Sequence, residues 1–193
     1  ELPRAELLVV EGNKKPTVIL DRNGKTLYEI YVDRKYNPVR LNQIPKNVIN
    51  ATLAVEDSEF YNHSGVRMDR VLKAAQMTFL EGEVQGASTI TQQLVKNVLL
   101  TSERTFSRKL KELVITFFVE AKYTKDQILE LYLNNISYGG VAWGIQSASQ
   151  KYFGKNVWEL NLAEAAMLAG LPSSPSTYSP LVDLNLAKKR QLH

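Results

Sequence analysis

Glu56 and Asp57 stand side by side in the stretch Val55-Glu56-Asp57-Ser58-Glu59-Phe60-Tyr61-Asn62-His63-Ser64-Gly65. Read as one helix, it puts Glu56, Phe60 and His63 at i, i+4 and i+7, stacking a carboxylate, a ring and an imidazole on one face. An aromatic neighbour desolvates a carboxylate and raises its pKa, while an imidazole orients it; both suit general acid or base work. The plain alternative is a pair of surface acids with His63 at a helix end. The only other histidine lies at the terminus, so a His-rich metal site is excluded, and any metal would be a hard cation held by carboxylates and phosphates.

A second stretch, Gly86-Ala87-Ser88-Thr89-Ile90-Thr91-Gln92-Gln93-Leu94-Val95-Lys96-Asn97, gathers hydroxyls, amides and a lysine at a helix start. Thr89 and Gln92 have capping-box spacing, which predicts the first turn just after Thr89. Free N–H groups and partial positive charge at that terminus suit phosphate, with Ser88 and Lys96 adding to the site. An ordinary polar helix start that binds only water is the competing reading.

The third stretch is Arg104-Thr105-Phe106-Ser107-Arg108-Lys109-Leu110-Lys111-Glu112, in which Arg104/Arg108 and Arg108/Glu112 are one helical turn apart. An exposed ion-pair ladder would explain this spacing. A diphosphate clamp would explain it too, because guanidinium groups donate bidentately to phosphate oxygens. Glu112, expected to lie away from the helix's apolar stripe, would then be a second acid beside the leaving group, as in two-carboxylate glycosyl chemistry.

These residues must be held by a core that a chain of 193 residues, 44% hydrophobic and 23% charged, is able to bury, so global disorder is excluded. A net charge of +4 is too small to argue for nucleic acid, and the basic residues cluster between Lys96 and Lys122, a solvated helix face or an attraction to an anionic ligand or membrane surface. There is no cysteine and hence no disulfide or thiolate metal site. No apolar run approaches the roughly 20 residues that span a bilayer. The chain begins at Glu1 without methionine and stops in the charged stretch Leu186 to His193, as expected of a piece excised from a longer protein.

Two β-prone runs flank Asn23-Gly24 and predict a peripheral hairpin. Beyond Pro45 the periodicity is helical: about 46–61, 69–80, the stretch after Thr89, and 105–122. In the last of these Phe106, Leu110, Leu113, Val114, Phe117 and Ala121 form an apolar stripe, widened by Ile115, Phe118 and Val119, expected to pack in the core or, in part, to meet lipid. Thr124/Gln127 caps a further helix, broken by Gly139-Gly140. Two more helices are predicted over about 142–152, stopped by Gly154, and from the cap pair Asn161/Glu164 to Gly170, with a turn-rich loop from Ser173 to Pro180.

Taken together, Glu56-Asp57 with Phe60, His63 and Gly65, then Gly86 to Asn97, then Arg108-Lys109 with Glu112 resemble the first three motifs of the peptidoglycan glycosyltransferase domain of glycosyltransferase family 51, found in class A penicillin-binding proteins and monofunctional transglycosylases. Ile128-Leu129 through Tyr132-Leu133-Asn134, followed by Gly139, resembles the fourth motif; Glu164 through Leu168-Ala169-Gly170-Leu171-Pro172 resembles the fifth. The motifs stand in family order over roughly residues 40 to 180, with Gly-Ala-Ser-Thr where many relatives have Gly-Gly-Ser-Thr. The hairpin ahead of the first motif resembles class A proteins more than monofunctional enzymes.

The resemblance implies a mainly α, lysozyme-like, two-lobed domain with a small peripheral β-hairpin. It implies an N-terminal linker and hairpin over 1–40, the glycosyltransferase domain over 41–185, and over 186–193 the start of a linker to a downstream transpeptidase domain. The implied reaction polymerises lipid II with inversion and release of undecaprenyl diphosphate. Glu56 would be the general base and Glu112 would assist departure, directly or through a divalent cation. Lys96, Arg104, Arg108 and Lys109 would stabilise the diphosphate; Ser88, Thr91, Gln92, Gln93 and Asn97 would position substrate, with Asp57, Phe60 and His63 supporting the base. No cofactor is called for, with Mg2+ or Mn2+ at the diphosphate left open. Implied partners are lipid II, the growing lipid-linked glycan, the membrane surface and moenomycin-type inhibitors, at the outer face of a bacterial cytoplasmic membrane reached through a transmembrane anchor. A lysozyme-like hydrolase and a non-catalytic module binding anionic lipid or glycan are the rival classes.

Overall fold

The computed structural model describes residues 17–20, 26–30, 37–70, 88–100 and 105–192; for the two strands and Phe106 it describes the backbone alone. Strands β1 (Thr17–Leu20) and β2 (Thr26–Ile30) pair antiparallel, Thr17 opposite Ile30, with an irregularity between Ile19 and Leu20. This is the expected hairpin; its Asn23-Gly24 turn lies outside the described residues.

Seven α-helices are bounded within the described residues: α1 (Lys46–Glu56), α2 (Ile90–Leu99), α3 (Phe106–Lys122), α4 (Lys125–Asn135), α5 (Ile145–Phe153), α6 (Leu162–Ala169) and α7 (Leu184–Gln191). The helix predicted over 69–80 is seen only as helical residues 68–70; the rest lies outside the described residues. Helix α2 packs between α3 and α4, while α6 packs against both α1 and α7. Ile90, Leu94, Val95, Ile115, Val119, Ile128, Leu129, Tyr132, Leu133 and Leu168 join these helices in one buried core. Capping boxes form at Thr89/Gln92, Thr124/Gln127 and Asn161/Glu164, each side chain satisfying a backbone N–H that the first turn leaves free.

Two expectations are corrected. Helix α1 stops at Glu56 rather than near Tyr61, because Asp57 leaves helical geometry and only a 3-10 turn, Phe60–Asn62, follows. In α3 the buried face is Glu112, Ile115, Thr116 and Val119, whereas Leu110, Phe117 and Phe118 of the predicted core stripe are 54%, 55% and 60% exposed. Polar residues can face inward there because they are satisfied locally: the Thr116 hydroxyl donates to the Glu112 carbonyl (2.7 Å), and the Glu112 carboxylate is paired within its own helix. At the C-terminal end α7 is capped by Asp183 and tied to α6 where the Gln191 amide donates to the Ala163 carbonyl (2.6 Å).

The connection between α4 and α5 turns at Gly144, whose φ of +79° is open to glycine but strained for other residues. A Cβ there would lie 2.5 Å from the Asn134 carbonyl oxygen. Asn134 in turn uses its side-chain amide to accept from the Val39 N–H (2.9 Å) and donate to the Val39 carbonyl (2.8 Å), so the turn and the entering chain meet at one residue. Gly144→Ala is therefore expected to destabilise the domain by roughly 2–4 kcal/mol, read as a lower midpoint in urea unfolding.

Candidate active site

The junction between α1 and α2 is built on Asp57. Its side chain is fully buried, and Oδ2 accepts from the backbone N–H of Ile90 (3.2 Å) and faces His63 Nε2 (2.9 Å). Nδ1 of His63 accepts from the Gly65 N–H (3.0 Å), which assigns the ring proton to Nε2 and makes it a donor to Asp57. A carboxylate at the first turn of a helix is stabilised by the free N–H groups and dipole there. This corrects the phosphate reading of the α2 N-terminus: Ile90 N–H is held by Asp57 and Gln92 N–H by the Thr89 hydroxyl (3.2 Å), while that hydroxyl donates to the Gly65 carbonyl. Gly65, at φ +87°, lets the loop lie against α3; a Cβ there would sit 2.7 Å from Thr116 Cγ2 and Glu120 Cγ.

The pinned junction sets Glu56 opposite Gln93. Gln93 Nε2 donates to Glu56 Oε2 (2.7 Å), and Gln93 Oε1 accepts from the Tyr132 hydroxyl (3.2 Å), so the buried tyrosine fixes which end of the amide meets the carboxylate. Arg70 Nη1 donates to the Glu56 carbonyl (3.2 Å), a cation at the C-terminus of α1. The Glu56 carboxyl is 8% exposed, and Oε1 has no hydrogen-bond partner among the described residues. Burial pushes its pKa above the ordinary value of 4.5; Gln93, Arg190 and Arg70 pull it down and Asp57 pushes it up. Burial pushes the Tyr132 and Tyr138 hydroxyls well above the ordinary phenol range, and the Glu56 charge adds to that in the same direction.

A cleft of about 490 Å³ opens beside this carboxyl, lined by Glu56, Arg70, Ser88, Gln93, Lys96, Asn97, Ser137, Ser173 and Arg190 with Val55, Ile136, Pro172 and Pro175. It gathers five of the residues singled out by sequence: Glu56, Ser88, Gln93, Lys96 and Asn97. Thr91 and Gln92 do not line it: the Thr91 hydroxyl bonds Glu120 and Gln92 serves the α2 capping box. Phe60 is buried in the core with Lys125 Nζ 4.4 Å from its ring centre and Tyr61 edge-on, and His63 holds Asp57 rather than Glu56. The imagined stack on one helix face is replaced by a turn.

Arg104 lies outside the described residues. Arg108 Nη1 (3.0 Å) and Lys109 Nζ both bond Glu112, which is buried at 1% exposure and lies off the cleft lining. Both Glu112 oxygens are engaged by cations, so a divalent ion would have to displace them; the donor set does not fit a metal centred there, and the described residues hold no other group of three metal-ligating side chains. Sequence reasoning missed Arg70, Ser137, Ser173, Arg190 and the Tyr132 hydroxyl. Tyr132 was visible as part of the fourth motif but with no role for its hydroxyl, and Arg190 carried no local signal, being one cation in a basic helix.

The raised pKa of Glu56 has a sign for stability. The folded state holds its proton to higher pH than the unfolded chain, so this contribution is fully present below about 4.5 and is lost as pH rises through the folded value. Glu56→Gln, which can still accept from Gln93, is expected to melt a few degrees above the wild type at pH 8, with the difference vanishing at acid pH, as read by calorimetry.

A family described as Transglycosylase matches residues 23–193. The chain is 45% identical over 185 residues to penicillin-binding protein 1F of Bacillus subtilis, covering 95% of this chain and 25% of that protein. It is 42% identical over 191 residues to penicillin-binding protein 1A of Pseudomonas aeruginosa, covering 98% and 23% respectively. The crystal structure of penicillin-binding protein 1A from Haemophilus influenzae superposes with a TM-score of 0.51 at 26% identity, over 99% of this chain and 17% of that one. The chain thus spans about a quarter of the length of the curated relatives it matches. The mainly helical, lysozyme-like class expected from sequence is the one observed, and the chain belongs to the transglycosylase family of the penicillin-binding proteins.

Proposed function

We propose that this domain is a peptidoglycan glycosyltransferase that polymerises lipid II by an inverting displacement. The observation that carries the reading is a buried carboxyl with one free oxygen, Glu56, facing a cleft that also holds Arg70, Lys96 and Arg190. A buried acceptor oxygen without a donor is costly, and an incoming hydroxyl supplies that donor. Glu56 takes the proton of the 4-hydroxyl on the acceptor N-acetylglucosamine as that oxygen attacks the anomeric carbon of the donor N-acetylmuramic acid. The bond to undecaprenyl diphosphate breaks, and the departing group carries the negative charge. Gln93, Ser88 and Asn97 position the sugars, and Lys96 meets the diphosphate. Arg108 and Lys109, held on Glu112, join that duty, with Arg104 assigned to it by its spacing from Arg108 in the sequence. Glu112 acts as the anchor of these cations, and charge neutralisation by side chains supports a diphosphate site that works without a metal.

Three cations and one acid around a cleft suit an anionic substrate better than a neutral glycan, which argues against a hydrolase. The proposed setting is the outer face of the cytoplasmic membrane, within a longer class A protein that carries a transpeptidase domain and is open to moenomycin-type inhibitors of the donor site. No described helix is long and apolar enough to cross a membrane. The outward Leu110, Phe117 and Phe118 of α3 are the surface assigned to lipid or to the polyprenyl tail.

Two outcomes are expected. Glu56→Gln removes polymerisation of lipid II by roughly 10²–10⁴-fold while lipid II binding survives, followed by gel separation of glycan strands and by a binding titration; measurable polymer from that variant at the wild-type rate would sink the base assignment, and shortening of finished glycan by the wild type would favour a hydrolase. Replacing Phe117 and Phe118 together by serine leaves the melting temperature nearly unchanged and reduces co-sedimentation with anionic vesicles; unchanged sedimentation would remove α3 from the membrane contact.

A further inference from the structure

Helix α7 carries three consecutive basic residues, Lys188, Lys189 and Arg190, and they do not share an environment. The two lysines are exposed, whereas Arg190 is half-buried and lines the cleft that holds Glu56. Its placement is built in from several sides. Ala187 is buried, Asp183 caps the helix and Gln191 is bonded to the Ala163 carbonyl, which together fix the rotation of α7. The guanidinium lies 5.6 Å from the ring centre of Tyr178, and its Nε is buried with no partner among the described residues. The stem runs against the end of α6 at Gly170, where a Cβ would lie 2.9 Å from Arg190 Cγ. Gly170 has φ −75°, so its lack of a side chain gives room rather than backbone freedom.

We propose that Arg190 is a positioning residue for the reaction, a cation held at the cleft by α7 and Gly170 so that the buried Glu56 stays ionised and able to accept a proton. The inference rests on the reading of Glu56 as the base. Its neighbours from every side are Asp57 at the end of its own helix, Arg70 after the loop, Gln93 and Lys96 on α2, Tyr132 on α4, Tyr138 after α4, and Arg190 on α7. On α6 the nearest acid, Glu164, is turned away to Lys155 (2.6 Å). Burial and Asp57 both disfavour a charged Glu56. Of the cations that oppose them, Arg190 has the larger pull, and Arg70 is committed to the Glu56 carbonyl. The opposite charge of a fixed guanidinium is a direct physical means of offsetting desolvation of a carboxylate.

The test is the pH dependence of lipid II polymerisation by the full chain carrying Arg190→Gln, Arg190→Lys or Gly170→Ala, with Glu56→Gln alongside. A base must be ionised to act, so loss of the cation moves the acid limb of the profile to higher pH. Arg190→Gln is expected to lose roughly tenfold or more at the acid end and clearly less on the alkaline plateau. Arg190→Lys recovers much of the acid limb, and Gly170→Ala, which displaces the stem while leaving every charge in place, shifts it the same way by less. A uniform loss across the pH range, or an acid limb unmoved in both Arg190→Gln and Gly170→Ala, overturns the assignment. If Glu56→Gln is inactive in that case, the base reading stands and only the role of Arg190 falls; if Glu56→Gln polymerises at the wild-type rate, the base reading itself has failed.

Discussion

The buried contact between the Asp57 carboxylate and the first N–H of α2 is the constraint from which the site follows. It stops α1 at Glu56, starts α2 beside it, and leaves the two helices meeting end to start. A carboxylate taken wholly out of water needs strong compensation, and the helix terminus with the His63 ring supplies it. Once the junction is set, Gln93 on the first turns of α2 has little choice but to meet Glu56. The acid beside the reactive one is thus structural: each carboxyl has one oxygen engaged and one without a partner among the described residues, and the pair divides by environment, Asp57 Oδ2 serving backbone and ring while Glu56 lines the cleft.

Around that junction the protein keeps several ionised groups in places where a core would ordinarily be apolar. Glu112 lies on the inner face of α3 with two cations drawn to it, Glu120 is bound by Thr91 and Lys125, and Glu56 faces a basic cleft. Each is a cost to folding that an isosteric apolar residue would avoid. The compensating contacts come mostly from the same helix or from one neighbour, which ties the geometry of the cations to the geometry of the fold.

Much of the helical framework was legible in sequence because caps and stops are local. Thr89, Thr124, Asn161 and Gly154 mark their boundaries through hydrogen bonds and backbone geometry that involve residues at most four positions away. The end of α1 was not legible, because the partner that draws Asp57 out of the helix is 33 positions distant. The face of α3 was misread for a related reason. Apolar periodicity measures where hydrophobic groups lie on a cylinder, and it carries no account of Glu112 and Thr116 satisfying themselves within the helix while Leu110 and Phe117 turn outward. In the candidate site, Glu56, Gln93 and Lys96 were visible as chemistry, whereas Arg70 and Arg190 owe their places to packing between elements far apart in the chain.

The two oxygens of Glu56 are unequal, and the inequality bears on the order of events in a turnover. Oε2 is occupied by an amide hydrogen whose own orientation is locked by Tyr132, and an amide held in that way does not relay protons. On the proposed chemistry, a proton that arrives does so on Oε1 and has to leave by the same oxygen, which is buried at the wall of the cleft. The base would then be reset only after the newly joined sugar has moved on and water has entered. Advance of the polymer and recovery of the catalyst become one kinetic event, giving the enzyme a ratchet whose pawl is a single carboxyl oxygen.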